Sequence, residues 1–143
     1  MVAPGGRCFG GDVNPLHIEI LGPPVPKQRP RAARSRDGSG KLYVFTPKKT
    51  VDYEKTVQAA TIAALQKWRV ENERHWNAQK RYAVSMWFFV PDRRVRDLDN
   101  LQKSILDALN KLVYDDDRQV DEIYAVRDYS PKNPRAVVVV RTL

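Results

Sequence analysis

The chain has one cysteine, Cys8, and only two histidines, His17 and His75. That scarcity excludes an internal disulfide and any zinc site built from cysteine and histidine clusters, and it fits a reducing, cytoplasmic setting. No apolar run approaches the roughly 20 residues that span a bilayer, so no membrane partner is expected. Glycines interrupt the first residues where a secretion signal needs an apolar core. Met1 to Pro15 is therefore expected to be a flexible tail, followed by one domain over 16–143. At 143 residues, with 42% hydrophobic and 29% charged side chains, the chain suits a single core rather than two. Acid is also scarce, with 17 Asp and Glu against 25 Lys and Arg, a formal net charge of +8.

The acid that is present is concentrated. Residues 97–121 hold Asp97, Asp99, Asp107, Asp115, Asp116, Asp117 and Asp121. A basic chain attracts polyanions, and an acid cluster within it repels them unless a divalent cation lies between. Charge pattern alone thus points to metal-dependent chemistry on nucleic acid.

Periodicity gives the elements around this cluster. His17 to Leu21 alternates as a strand and ends at Gly22-Pro23-Pro24. Lys27 to Arg36 reads as a basic loop holding Lys27, Arg29, Arg31, Arg34 and Arg36 with no acid, and Asp37-Gly38-Ser39-Gly40 as a flexible tip or hairpin turn before a strand at Leu42 to Phe45. Thr46-Pro47 suggests a helix cap and first turn, with Tyr53, Val57, Ala60, Ala64 and Trp68 at helical spacing to about Glu73. Tyr82 to Val90 is bulky and β-prone, a central strand. A second helix is expected from Asp97 or Leu98 to about Val113, with Leu98, Leu101, Ile105, Leu109 and Leu112 on one side and Asp99, Lys103, Asp107 and Asn110 on the other. Val120 to Tyr129 and Ala136 to Arg141 read as two strands, pairing as a hairpin across Ser130 to Pro134. The fold class expected is α+β, a single sheet of about four or five strands with two main helices packed on it.

Asp97 and Asp99 flank the second helix's start, so both carboxylates can converge just beyond its N-terminus, with Lys103 one turn later on Asp99's face. Oxygen-only donors suit Mg²⁺ or Mn²⁺. A plain structural reading stands beside this one. Acids at a helix N-terminus stabilise its dipole by about 0.3–1 kcal/mol each, and Asp99 with Lys103 is an ordinary i,i+4 pair. A calcium-binding EF-hand loop fits worse, because Val120 and Val126 stand where glycine and glutamate are required. A restriction-type nuclease core lacks its Asp/Glu-x-Lys triplet, although Pro91-Asp92 is present.

The segment RRVRDLDNLQKSILDALNKLVYDDDRQVDEI, Arg93 to Ile123, resembles the Holliday-junction resolvases of the RusA type. The shared pattern is Asp-x-Asp-Asn, a lysine four residues after the second aspartate, Asp-Ala-Leu, then Asp-Asp-x-Gln-Val. GPPVPKQRPR (Gly22 to Arg31) and YVFTPKKT (Tyr43 to Thr50) extend the resemblance over about Leu16 to Leu143. It implies a bacterial or phage-encoded, Mg²⁺-dependent endodeoxyribonuclease (Mn²⁺ being the other candidate ion) that cuts four-way DNA junctions as a homodimer in recombination and repair. It further implies metal-binding, catalytic aspartates at Asp97, Asp99 and Asp117, with Asp116 of the same Asp-Asp motif as a further candidate ligand, and a catalytic lysine at Lys103.

Lys27, Arg29, Arg31, Arg34 and Arg36, with Arg93, Arg94 and Arg96 beside the acids, are the expected phosphate contacts, which position DNA without reading its bases. Trp68, Trp87 and Phe89 are expected in the core. Two other functions share these residues. A nuclease of broader taste for flaps and forks would use the same site, and a non-catalytic junction-binding dimer would bind without cutting.

Overall fold

The computed structural model describes residues 14–94 and 96–143. The expected tail falls outside them except for Asn14 and Pro15, and Asn14 is tied to the first helix, its carbonyl accepting the Trp68 indole N–H at 2.9 Å. In chain order the elements are β1 (Leu16–Leu21), β2 (Arg31–Arg34), β3 (Leu42–Phe45), α1 (Lys48–Asn72), β4 (Tyr82–Val90), α2 (Leu98–Leu109), a short 3₁₀ turn (Asp117–Gln119), β5 (Val120–Tyr129) and β6 (Arg135–Thr142). Among the described residues no helix is long and apolar enough to cross a membrane.

The fold is α+β, as expected: two helices pack on a mixed four-stranded sheet of order β1-β6-β4-β5, and β2 and β3 form a separate two-stranded sheet. Two expectations about strands need correction. β5 and β6 do not pair with each other; β5 runs parallel to β4, and β6 lies between β4 and β1, antiparallel to both. The apolar run Val137 to Val140 suits that interior place, because a strand with neighbours on both sides and both faces partly covered needs little polar alternation. The supposed basic loop also contains a strand, since Arg31 to Arg34 pairs with Phe45 to Leu42 through its backbone.

Rows of side chains across the sheet build the core. Leu16, Val140 and Val84 face one another, as do Ile18, Val138 and Met86, and Ile20, Ala136 and Phe88. All nine are buried under the helices. α1 covers this face with Tyr53, Val57, Thr61 and Trp68. Thr61 escapes an apolar count, but its hydroxyl donates to the Val57 carbonyl at 2.7 Å, which makes its burial tolerable. The helix starts at Pro47 with no side-chain cap, so Thr46 is not the cap; the Thr50 hydroxyl instead accepts the Gln28 N–H at 3.1 Å.

α2 stops one turn earlier than its leucine pattern suggests. Lys111 adopts φ 68°, and Tyr114 folds back so that its hydroxyl donates to the Leu106 carbonyl at 2.8 Å. Trp68, Trp76, Tyr82 and Tyr114 then form a run of rings with centroids 5.1 to 6.0 Å apart. Trp68 is in the core as expected, whereas Trp87 and Phe89 lie half-buried on the other face of the sheet, beside Val137 and Val139.

Ile105 is fully buried beneath α2. Replacing it with alanine is expected to lower the unfolding free energy by about 2–5 kcal/mol in urea titrations, and a loss under about 1 kcal/mol would show that this helix is not packed as described.

Candidate active site

α2 is amphipathic in a way that decides where its acids go. Leu101, Ile105, Ala108 and Leu109 are buried, so Asp99 and Lys103 on the opposite side are left to solvent. Asp97 is the helix N-cap. One of its carboxylate oxygens accepts the Asp99 N–H at 3.0 Å, and the other accepts the Asn100 side-chain amide at 3.2 Å. The Asp99 carboxylate stands 3.5 Å from the Lys103 ammonium. An exposed i,i+4 pair of this kind holds by about 0–1 kcal/mol, so both groups can exchange partners readily.

A second acid group gathers further along α2. Asp107 lies eight residues after Asp99, about 12 Å along a helix. Asp116 caps the 3₁₀ turn, accepting the Arg118 N–H at 2.9 Å, and Gln119 completes a capping box. That N–H holds the Asp116 carboxyl below its ordinary range. The Asp117 carboxyl is pushed up instead, first by partial desolvation, then by its hydrogen bond to Asp116 and by the charges of Asp116 and Asp107. Asp115 and Asp121 have structural partners, the Gln79 amide and the Arg81 guanidinium respectively.

The structure thus brings Asp97, Asp99 and Lys103 together at one end of α2, and Asp107, Asp116 and Asp117 at the other. Among the described residues no three Asp, Glu, His or Cys side chains form a ready metal cage. The donors fit a hard divalent cation nonetheless. All are carboxylate oxygens, and the crowding that raises Asp117 is a repulsion that positive charge relieves.

The basic residues divide by environment. Arg29, Arg31, Arg34, Arg36, Arg93 and Arg94 are exposed. Arg93 also lies 4.9 Å over the Tyr129 ring. Lys27 and Arg96 are engaged within the protein. The Lys27 ammonium bonds Asp107 and sits 3.4 Å from Glu54, and although burial acts to lower its pKa, those two carboxylates hold it above the ordinary lysine value. The Arg96 side chain is 14% exposed and donates to Asp92 at 2.7 Å.

Arg127 was missed by the sequence reading. It occupies the helix-covered side of β5, at the end of the row Ile20, Ala136, Phe88. Its guanidinium donates to the Arg96 carbonyl, one residue before the Asp97 cap. Two open grooves of about 310 and 690 Å³ meet at Arg127, the first lined also by Arg93 and Arg94, the second by Asp97 and Leu98. Alternation gave no clear signal for it, because Ile123 and Ala125 on its side of the strand are matched by Tyr124 and Val126 on the other.

Replacing Arg127 with alanine is expected to loosen the cap without unfolding the domain. Amide hydrogen exchange at Asp99, whose N–H bonds Asp97, should quicken by about tenfold, the scale of a lost charge-assisted hydrogen bond. An unchanged exchange rate would remove Arg127 from any positioning role.

A family model described as Endodeoxyribonuclease RusA matches residues 22–141, nearly all of the chain. None of the curated proteins searched matches it.

Proposed function

The chain belongs to the RusA endodeoxyribonuclease family, whose activity is endonucleolytic resolution of Holliday junctions, and on that premise we propose that it is a Mg²⁺-dependent resolvase acting as a homodimer. Mn²⁺ is an acceptable substitute for the ion on the same oxygen donors. The process served is DNA recombination and repair in a bacterial or phage-infected cytoplasm. The observation that carries the reading is the trio Asp97, Asp99 and Lys103, set at the solvent-facing start of α2 within the matched segment.

Asp97 and Asp99 would hold the cation at the start of α2; Asp117, with Asp116 as the neighbouring carboxylate, lies at the helix's other end and would join that set from a second copy of the chain. When bound, the ion supplies Lewis-acid activation of a phosphodiester and of water. The protein's own groups do the rest. Asp97 keeps the first turn of α2 in place through its two hydrogen bonds. Lys103, weakly held by Asp99, turns to the scissile phosphate and offsets the charge that grows there in the transition state. Arg29, Arg31, Arg34, Arg36, Arg93 and Arg94 grip backbone phosphates on either side, which makes affinity fall with salt. Lys27 and Arg96 contribute by anchoring the segments that carry those arginines.

Two opposed cuts call for two active sites related by a two-fold axis. The sheet face turned away from the helices supports such an assembly, because Trp87, Phe89, Val137 and Val139 offer apolar surface there, with the Arg135 guanidinium 4.1 Å over the Phe89 ring.

Asp99→Asn keeps the shape of the side chain and removes its charge. The variant is expected to lose cleavage of a synthetic four-way junction while binding it with affinity within about threefold of the parent, since phosphate contacts dominate affinity. Cleavage at the parental rate would refute the assigned role of Asp99.

A further inference from the structure

The β2–β3 hairpin carries a composition that its own packing does not explain. β3 is Leu42-Tyr43-Val44-Phe45, and every one of these residues is exposed, Leu42 by 68%, Tyr43 by 49%, Val44 by 73% and Phe45 by 38%. The hairpin is not part of the main sheet. Register places Leu42 and Val44 on one side with Arg34 and Ala32, and Tyr43 and Phe45 on the other with Ala33 and Arg31, their two rings 5.8 Å apart. Each face therefore pairs apolar side chains with an arginine.

The root of this arm lies at the candidate active site. The Lys27 N–H donates to the Asn100 carbonyl at 2.9 Å, in the first turn of α2, and the Gln28 N–H reaches Thr50 at the start of α1. Lys27 then locks onto Asp107 through its side chain. The segment that leads into the strands is thus anchored on α2, the helix that carries Asp99, with Asp97 as its cap.

Charge decides what covers the arm. Arg29, Arg31, Arg34, Arg36 and Lys41 face a single acid, Asp37, whose carboxylate is drawn into the turn by the Ser39 N–H at 2.9 Å. Arginine beside aromatic rings occurs at protein and nucleic-acid contacts alike, but five cations against one acid favour a polyanion, and exposed aromatic and aliphatic groups among them match nucleic acid with accessible base faces. Branch points are where duplex DNA has such bases.

We propose that the β2–β3 hairpin is a base-contacting arm, with Leu42 and Val44 entering between bases at the branch point, the Tyr43 ring stacking on one of them, and the neighbouring arginines on the flanking phosphates. This inference rests on the junction-resolvase reading and adds to it the element that engages unstacked bases. Leu42 and Val44 are exposed enough to be changed without disturbing the core.

The test uses the full chain in EDTA and four-way junctions bearing 2-aminopurine either at the branch point or in mid-arm. The parent protein is expected to raise emission at the branch point and leave mid-arm emission unchanged. A Leu42→Ser, Val44→Ser double variant and, separately, Tyr43→Ala should lose most of that rise and bind the junction about tenfold more weakly, with the mass by light scattering unchanged. A full emission rise in both variants would overturn the arm while leaving the resolvase reading intact, and so would a parent that binds without any rise. A fall in mass would overturn it too, by making the hairpin a contact between two copies of the chain. No junction binding by the parent would bring down the resolvase reading itself and the arm with it.

Discussion

Burial of one side of α2 is the constraint on which the rest depends. Leu101, Ile105, Ala108 and Leu109 have no route to burial except against the sheet, and once they are there the helix cannot rotate. Asp99 and Lys103 are then fixed toward solvent, and Asp97 at the N-cap is fixed at the helix end. Burying each of the larger apolar side chains is worth about 1.5–3 kcal/mol relative to leaving it exposed. That exceeds the fraction of a kcal/mol at stake in the Asp99–Lys103 pair, so packing rather than pairing positions the acids and leaves Asp99 with only a weakly held partner. The proposed cation and phosphate site draws on that arrangement.

Long-range contacts tie three other segments to this helix. Lys27 brings the root of the hairpin to Asp107, Arg127 on the edge strand holds the carbonyl before Asp97, and Tyr114 folds back on Leu106 and sets the path toward Asp116 and Asp117. Asp107 therefore has two effects. It neutralises Lys27, and its charge helps to keep the Asp117 carboxyl above its usual range. The internal ion pairs of Lys27 and Arg96 separate them from the exposed arginines.

How much of this the sequence disclosed follows from the range of each interaction. β3, β4 and β5 have the bounds their bulky, β-branched composition suggested, and the class of fold follows from the order of elements. The Asp97, Asp99 and Lys103 group was legible because a single helix sets its spacing. Strand order was not. Ser130 to Pro134 looks like a hairpin link, yet α2 carries the chain from β4 to a parallel β5, and β6 then returns antiparallel between β4 and β1. The early stop of α2 was hidden because Leu112 and Val113 continue the apolar pattern, while the back-bond from Tyr114 has no local signature. Lys27 meets Asp107 across 80 residues, a distance no periodicity reports. The Arg31 to Arg34 strand was obscured because two of its four residues are arginine and it buries no face that would impose an alternation.

The central claim is that an acid-bearing helix within a basic protein cuts branched DNA with the aid of a divalent cation. The most direct measurement is incubation of the protein with labelled four-way junction, fork and linear duplex, each with and without Mg²⁺. The account predicts paired, symmetric nicks in the junction only, and only with Mg²⁺. Equal cutting of duplex or fork, or a junction that stays intact when Mg²⁺ is added, would contradict it.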